Sequence, residues 1–275
     1  GASVVAGEPE FYFLGNDNFL EDLKKGLITF KDTFELDDLP FPRWDKMIKN
    51  FNGVDKMYGN RKSITILATR GCPYSCFYYC VYPLQQGRKV RQRSPKNIVE
   101  EIKYWSTKHD VKMFIFRDPV FSINRKHTIE LCEEIIRQKL NITFMIETHL
   151  NNMDDQMIKL LKDAGLELVY VGVESSNHVV LKDMKRFTIE HDRQYEIIKK
   201  CQDAGIIVKT MFIIGNPEDD KDTIVQSIEY AKYLPSLYSQ FSVFTPYPGT
   251  PAYNEFKDII TETKLENFNQ YNLTF

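Results

Sequence analysis

The amino-acid sequence predicts an α/β fold built on six parallel strands, and three observations support this prediction. Apolar runs rich in β-branched and aromatic residues alternate with amphipathic runs at helical spacing. The apolar runs are nearly continuous, as in strands that are buried on both faces. A helix-length segment separates most runs from the next, and parallel neighbours need such long connections. A full or partial barrel and an open doubly wound sheet both fit this pattern.

Each element has a local signal in the sequence. The predicted strands are residues 63–69, 111–118, 141–148, 166–174, 205–215 and 237–247. The predicted helices are residues 94–109, 124–139, 153–165, 190–205 and 218–234. Ser94 and Asn124 begin two of the helical runs and are favoured N-cap residue types, and Gly165 and Gly205 end two others, where glycine is favoured. The start and stop signals therefore agree with the alternation of strands and helices.

The composition is that of a globular protein with a large core, since 43% of the 275 residues are hydrophobic and 27% are charged. A formal net charge of −2 indicates no general preference for nucleic acid or for a membrane surface. No apolar run approaches the ~20 residues of a membrane-spanning helix. Five cysteines, an odd number, do not suggest a secreted disulfide framework. We therefore expect a cytoplasmic protein whose partners include neither nucleic acid nor a membrane.

The two ends of the chain depart from this alternation. Residues 1–60 are irregular, and the proline-rich stretch 37–47 predicts a linker packed on the outside of the domain. We expect residues 1–60 to hold the end of a preceding domain plus this linker, and residues 61–255 to form the main domain. Residues 256–275 would then start a C-terminal extension, and the whole chain would be a fragment.

Three cysteines, Cys72, Cys76 and Cys80, lie within nine residues directly after the first predicted strand. They could be buried thiols, because free cysteine is a commonly buried residue type. A structural zinc site would need a fourth ligand, and of the remaining candidates only His149 could approach in space. Cys132 and Cys201 occupy core-facing positions of predicted helices. A third interpretation is an iron–sulfur cluster held by three thiolates with one iron left open for a substrate or cofactor.

Further motifs follow at the ends of the predicted strands. They are FRDPVFSINRKHTIELC (116–132), ET (147–148), VGVESSNHVVLKDMKR (171–186), FIIGNPEDDKDTI (212–224) and TPYPGTPAY (245–253). With the cysteine loop, this ordered series resembles the radical S-adenosylmethionine (SAM) superfamily, and specifically its cobalamin-binding branch, over essentially the whole chain. The resemblance implies a partial (β/α)6 TIM-like barrel in which the three cysteines hold a [4Fe–4S] cluster. It also implies that SAM chelates the open iron and is cleaved to methionine and a 5′-deoxyadenosyl radical.

The resemblance also implies cofactor-binding residues. Arg117, Asp118 and Pro119 match the position of a contact to the SAM amino group, and Glu147 ends the third strand. Glu174 and Ser175 match residues facing the ribose or methionine end of SAM, and Arg186 matches a partner of its carboxylate. The turns of the fifth and sixth strands contribute Gly215, Pro217 and Pro248, of which Gly215 and Pro217 lie near the adenine in the family. From the residues alone, Asp118 and Glu174 could instead be helix N-caps or partners of basic side chains.

Two departures from the family pattern bear on these assignments. The family spacing is C-x3-C-x2-C, whereas this chain has C-x3-C-x3-C, with Tyr78 and Tyr79 before the last cysteine. The extra residue adds at most about 3.5 Å of reach, so either the loop bulges and keeps three ligands or cluster binding weakens. The cobalamin branch also carries a domain before this barrel, with a histidine that often binds cobalt. Here the first histidine is His109, so cobalamin would bind only to a longer protein.

The leading functional hypothesis is cobalamin-dependent methylation of an unactivated carbon or phosphorus by a radical SAM enzyme. The alternatives are radical rearrangement, cyclisation or oxidation without methyl transfer, and a non-catalytic iron–sulfur or zinc-binding barrel. The expected partners are a small-molecule substrate and an electron donor such as flavodoxin or ferredoxin.

Overall fold

The computed structural model describes residues 4–6, 27–29, 35–48 and 61–275. Its strands are β1 (Val4–Ala6), β2 (Leu27–Thr29), β3 (Ser63–Ile66), β4 (Thr69–Arg70), β5 (Arg91–Gln92), β6 (Met113–Phe116), β7 (Thr143–Thr148), β8 (Leu166–Glu174), β9 (Ile207–Ile214) and β10 (Tyr238–Val243). Its α-helices are α1 (Asp45–Ile48), α2 (Tyr82–Gln86), α3 (Pro95–His109), α4 (Arg125–Arg137), α5 (Asp155–Asp163), α6 (His178–Asp183), α7 (His191–Asp203), α8 (Lys221–Tyr233) and α9 (Pro251–Phe256).

Six of the strands form one parallel sheet in the order β3, β6, β7, β8, β9, β10. All six predicted strands and all five predicted helices are present, so the α/β prediction is confirmed. Strands β3 and β10 lie at opposite edges, and the described strands form an open sheet rather than a closed barrel. The six strands follow one another across the sheet in chain order, without the reversal of a doubly wound sheet. The fold is therefore a partial (β/α)6 barrel.

The main hydrophobic core lies between the sheet and the helices. Large side chains such as Trp105 of α3 and Phe144 of β7 are fully buried there. Cys132 and Cys201 belong to the same core, and burial raises the pKa of each thiol to about 12. Both cysteines are therefore packing residues, as predicted. A second, smaller apolar cluster lies apart from this core, on β6, β7 and β8, and consists of Met113, Ile115, Met145 and Leu168.

The helix boundaries follow the signals in the sequence. The Ser94 hydroxyl accepts a hydrogen bond from the Asn97 N–H at 3.1 Å, and the Asn124 side chain accepts one from the His127 N–H at 3.3 Å. These bonds satisfy backbone donors of the first helical turn. Gly165 has a φ of +110°, and a Cβ there would lie 2.5 Å from the Ile142 carbonyl oxygen. This turn therefore requires glycine.

The prediction for residues 1–60 falls largely outside the described residues. Within it, β1 and β2 form a parallel pair. In the linker, Trp44 packs against the main core, and Asp37 accepts a hydrogen bond from the Ser94 N–H at 2.8 Å. At the other end, the Val243 N–H donates to the Gln270 carbonyl at 2.7 Å. Both flanking segments thus contact the main domain.

In the described part of the chain, no helix has the length and apolarity needed to cross a membrane.

Candidate active site

The cysteine loop leaves the sheet after β3 and returns at β5. Strands β4 and β5 pair antiparallel at its base, and the Cys72 N–H donates to the Gly87 carbonyl at 3.2 Å. Gly71 has a φ of +92°, and a Cβ there would lie 2.1 Å from the Lys89 carbonyl oxygen. The two ends of the loop are therefore pressed together, and Gly71 is needed for this close approach.

The extra residue of the loop is accommodated by helical geometry. Residues Ser75–Tyr78 form a 3-10 helix, and the Cys80 N–H donates to the Cys76 carbonyl at 3.0 Å. A spacing of four residues places Cys76 and Cys80 on one side of such a turn. The sequence left open whether the loop bulges and keeps three ligands or cluster binding weakens. The structure shows a helical turn that keeps the thiols of Cys76 and Cys80 together.

Two hydrogen bonds fix this turn to distant parts of the chain. The Ser75 hydroxyl donates to the Lys185 carbonyl at 2.7 Å, and the Tyr78 hydroxyl donates to the Glu255 Oε2 at 2.7 Å. The ring of Tyr79 lies 6.4 Å from that of Phe244, edge to face. The two adjacent tyrosines therefore hold the loop in place, Tyr78 through Glu255 and Tyr79 through Phe244.

The three cysteines line one cleft above the carboxyl ends of the strands. Four other residues predicted for the site lie in the same cleft, namely Pro119, Glu147, Glu174 and Arg186. Aromatic and polar side chains complete the lining, among them Tyr74, Tyr79, Tyr82, Thr148 and His149. Active sites of α/β barrels lie at this end, because the strand ends and their loops converge there.

Two of the residues that line the cleft form an ion pair. Arg186 Nη2 is 3.4 Å from Glu174 Oε1, and the side chains are only 13% and 11% exposed. Arg186 also donates to the Gly172 carbonyl at 2.9 Å. A Cβ on Gly172 would lie 2.2 Å from Glu174 Oε1, so the pair occupies the space that a side chain would fill.

The backbone at the end of β8 is strained. Glu174 has a φ of +68°, in the left-handed region that non-glycine residues seldom adopt. The pairing of β8 with β9 shifts register between Gly172 and Glu174. Strain of this kind clusters at functional sites, where the surrounding structure holds it in place.

The thiols differ in acidity. A hydrogen bond from the Cys80 thiol and the positive charge of Arg186 lower the pKa of Cys76, against the effect of burial. Burial raises the pKa of Cys72. The hydrogen bond to Cys76, with burial, raises the pKa of Cys80. The two hydrogen-bonded thiols therefore titrate as a pair, and the positive charge of Arg186 favours the loss of its first proton and so the thiolate form that binds metals.

Asp118 supports the cysteine loop from below. Its side chain is fully buried, and its carboxylate accepts hydrogen bonds from the Ala68 N–H at 3.2 Å, the Thr69 hydroxyl at 2.6 Å and the Thr69 N–H. Burial raises the pKa of Asp118 to about 6, although these hydrogen bonds act in the opposite direction. The carboxylate thus fixes the segment that leads to Cys72, which is a role for a partnered acid rather than a helix cap.

The remaining predicted residues lie around the cleft rather than in its lining. Arg117 Nη1 donates to Glu147 Oε1 at 2.6 Å and so orients a carboxylate that does line it. Ser175 is buried against Ser227 of α8, with 3.3 Å between the hydroxyl oxygens. Gly215 has a φ of +75° in the turn after β9. Pro217 follows in that turn, and Pro248 lies in the turn before α9.

Sequence reasoning missed some lining residues on the strands. Tyr170 and Gly172 alternate with Glu174 along β8, and Met211 lies on β9. Counting back by two from Glu174 would have found the first two, since alternate strand residues share a face. His149, treated as structural, also lines the cleft. Its Nδ1 accepts from the Asn151 N–H at 3.2 Å, and burial lowers its pKa to about 4.

Comparison with known proteins gives one family. The sequence model of the Radical SAM superfamily matches residues 66–231. The chain is 28% identical over 216 residues to an uncharacterized methyltransferase of Pyrococcus horikoshii, covering 78% of this chain and 46% of that protein. It is 30% identical over 223 residues to bacteriochlorophyllide d C-8(2)-methyltransferase of Chlorobaculum tepidum, covering 77% and 49%. It is also 30% identical over 204 residues to anaerobic magnesium-protoporphyrin IX monomethyl ester cyclase of Rubrivivax gelatinosus, covering 73% and 36%.

Two solved structures have the same fold. The radical SAM methyltransferase TsrM from Kitasatospora setae, with cobalamin and a [4Fe–4S] cluster bound, superposes with a TM-score of 0.67 at 20% identity, over 74% of this chain and 38% of that one. The cobalamin-dependent radical SAM enzyme OxsB, with aqua-cobalamin and SAM bound, gives a TM-score of 0.64 at 16% identity, over 92% and 41%.

The chain spans less than half the length of the curated relatives named above. The family model nevertheless covers more than half of the chain, from the end of β3 into α8, and includes the three-cysteine loop. As the resemblance implied, this chain belongs to the radical SAM superfamily, whose members use a [4Fe–4S] cluster and SAM.

Proposed function

We propose that the chain is the catalytic core of a radical SAM enzyme that methylates an unactivated carbon or phosphorus atom with the help of cobalamin. The observation that carries this proposal is the single cleft lined by Cys72, Cys76, Cys80 and the Glu174–Arg186 pair. The methyltransferases among its relatives and structural neighbours support it.

The donor set fits a multi-iron cluster better than a single zinc ion. In the described residues, no three side chains of His, Cys, Asp or Glu are grouped so that they could hold one metal ion. The three thiols nevertheless line the same cleft. In a [4Fe–4S] cluster each cysteine binds a different iron, so the sulfurs do not need to meet at one point. The hydrogen bond between Cys76 and Cys80 would give way to these separate bonds.

The protein's own residues would bind and orient the cofactors. Cys72, Cys76 and Cys80 would hold three irons and leave the fourth for SAM, and when bound the cluster supplies the electron that cleaves SAM. Arg186 would bind the SAM carboxylate, and Glu174 would accept hydrogen bonds from its ribose or amino group. The half-buried tyrosines beside the cysteines would keep water away from the radical.

The roles of the surrounding residues follow from their places. Glu147, oriented by Arg117, and Pro119 would contact the methionine end of SAM, with Asp118 fixing the loop behind them. We assign Ser175, Gly215, Pro217 and Pro248 to the wall around the ribose and adenine. These turns flank the carboxyl ends of β8, β9 and β10.

The full-length protein would supply the rest of the machinery. We assign residues 1–60 to the end of a cobalamin-binding-like domain and a linker, residues 61–255 to the barrel, and residues 256–275 to the start of an extension. Cobalamin would be held largely outside the barrel. A flavodoxin or ferredoxin would deliver electrons in a reducing cytoplasm, and the substrate would be a small molecule. All five cysteines are free thiols, consistent with such a compartment.

A second candidate is radical cyclisation or oxidation without methyl transfer. It is favoured by the 30% identity to the anaerobic cyclase of Rubrivivax gelatinosus. The site described above would serve both reactions, because the radical is formed in the same way. The substrate and the use of cobalamin separate them.

The test is anaerobic reconstitution of the full-length protein with iron, sulfide and cobalamin, followed by reduction in the presence of SAM. The proposal expects about four irons per chain and formation of both 5′-deoxyadenosine and S-adenosylhomocysteine. Formation of 5′-deoxyadenosine alone would favour cyclisation or oxidation. Absence of 5′-deoxyadenosine from a chain with a full iron content would overturn both candidates and leave a non-catalytic barrel.

A further inference from the structure

The small apolar cluster of β6, β7 and β8 lies on the face of the sheet opposite the main core, which we call the inner face. One row of side chains crosses this inner face next to the cysteine cleft. In the register of the strands, Glu147 of β7 lies beside Tyr170 of β8. Tyr170 in turn lies beside Lys209 of β9, and Lys209 beside Tyr238 of β10. Glu147 and Tyr170 line the cleft, so the row borders it. Tyr170 also packs against the small apolar cluster of the inner face, so this cluster borders the row on the side away from the cleft.

Lys209 is the positive centre of this row. Its Nζ lies 4.4 Å from the centroid of the Tyr170 ring and 5.7 Å from that of Tyr238. Contacts of this kind stabilise a cation without neutralising it. Among the residues that the structure describes, no carboxylate or carbonyl oxygen forms an ion pair or hydrogen bond with this ammonium group.

The nearest acid is already engaged. Glu147 attracts Lys209 and thereby favours its charged form, but Glu147 Oε1 lies only 2.6 Å from Arg117 Nη1. One carboxylate thus faces two cations, and burial lowers the pKa of Lys209 as expected for an ammonium group without a close partner. Among the described residues of this row, Lys209 is therefore a cation whose charge the neighbouring carboxylate shares with Arg117.

The position of Lys209 relative to the cleft is suitable for holding a substrate. Met211 lines the cleft with the cysteines and lies two residues further along β9. Two residues of a strand correspond to about 7 Å. A small molecule anchored at Lys209 would therefore extend from the inner face of the sheet towards the cofactor end.

We propose that Lys209 binds an anionic group of the substrate, a carboxylate or a phosphate-like oxyanion, between the rings of Tyr170 and Tyr238. This inference rests on the proposed function, since it names the class of substrate that the same cleft would take. A neutral substrate would displace water from the half-buried ammonium group without pairing it, and would therefore bind less tightly than an anionic one. Lys209 is thus a specificity-determining residue, and the two tyrosines favour an apolar or planar body next to the anion.

The test measures binding of simple probes and does not require turnover. Inorganic phosphate, benzoate and the neutral benzyl alcohol are titrated calorimetrically into the cluster-loaded full-length protein with SAM. The wild-type protein should bind benzoate or phosphate at least about tenfold more tightly than benzyl alcohol. Lys209→Met and Lys209→Gln should lose this preference, and Lys209→Arg should keep it. Stronger binding of benzoate indicates a carboxylate site, and stronger binding of phosphate a phosphate-like site.

Two controls make the result decisive. Lys232→Met removes an exposed lysine that pairs with Glu229 on α8, and it should leave probe binding unchanged. Iron content and melting temperature show whether each variant is folded. Because Lys209→Met and Lys209→Gln both remove the charge, the test can still be read if one of them fails to fold. The inference is overturned if the wild-type protein does not prefer the anions, or if both neutral variants bind them as the wild type does. Because no methyl transfer is measured, a failure of the proposed function leaves this result readable.

Discussion

Arg186 and Glu174 form a nearly buried ion pair that lies over the bare backbone of Gly172, with 3.4 Å between Nη2 and Oε1. Removing one partner of such a pair leaves the other charge buried and unpaired. We therefore expect Arg186→Met to destabilise the protein by about 3 kcal/mol. The double variant Arg186→Met/Glu174→Gln should be more stable than Arg186→Met by at least about 1 kcal/mol, because it has no unpaired buried charge. Urea unfolding of the wild type, both single variants and the double variant measures this coupling, and strict additivity would contradict it.

The ligand assignment predicts a sharp difference between two kinds of cysteine. Alanine at Cys72, Cys76 or Cys80 should remove most of the iron after reconstitution, because each would supply one bond to the cluster. Cys132→Ala should keep the iron and cost about 1 kcal/mol of stability, since it only deletes a buried thiol. Iron and sulfide analysis of the four variants decides the matter. Loss of iron from the Cys132 variant would show that the ligand set is wrong.

The helical turn of the cysteine loop predicts that shortening the loop by one residue reduces iron binding. Deleting Tyr79 would restore the family spacing, but it would also rotate Cys80 by about 100° around the turn, away from Cys76. It would further remove a ring packed on Phe244. We expect the deletion variant to bind less iron than the wild type. Tyr79→Phe, which keeps both ring and spacing, is the matched control and should retain it. Equal or higher iron in the deletion variant would mean that the extra residue is not needed.

Asp118 predicts a pH dependence of stability. Its pKa in the folded protein is about 6, above the value of 3.8 for a free side chain. Protonation therefore favours the folded state, so this contribution is fully present below pH 3.8 and is lost as the pH rises through 6. Asp118→Asn does not titrate. Between pH ~7.5 and pH ~5 the wild type should gain about 1 kcal/mol relative to this variant.

The measurement compares urea unfolding of the two proteins at both pH values. Other carboxylates affect both proteins alike, so only the difference between them reports on Asp118. A difference that does not change with pH would show that the carboxylate is ionised throughout.

The sheet could be predicted from the sequence because its strands read as apolar runs rich in β-branched and aromatic residues. Burial on both faces holds along the whole of β6, whereas β10 is only half-buried. The ends of the runs were less informative. Residues 63–69 were expected to form one strand, but β3 ends at Ile66 and the chain turns into the pair of β4 and β5. Likewise Arg117 and Asp118 fall after β6, where their side chains contact Glu147 and Thr69. Strand ends depend on such tertiary contacts, which a local pattern does not contain.

The site could be predicted as a set of residue types but not as a geometry. The cysteines and the acids of the strand ends were found by their order along the chain. The contact of Lys209 with Tyr170 and Tyr238 was not, because it depends on the register of three strands. Register is set by packing and by the lengths of the connections, and a shift of one residue would turn Lys209 to the other face.

The hydrogen bonds that hold the cysteine loop have a consequence for how the protein is made. Ser75 and Tyr78 contact Lys185 and Glu255, which lie 110 and 177 positions further along the chain. During synthesis from the amino terminus, the three thiols emerge long before these partners exist. We therefore expect iron to be inserted only after the barrel is complete, so that maturation of the cluster follows translation rather than accompanying it.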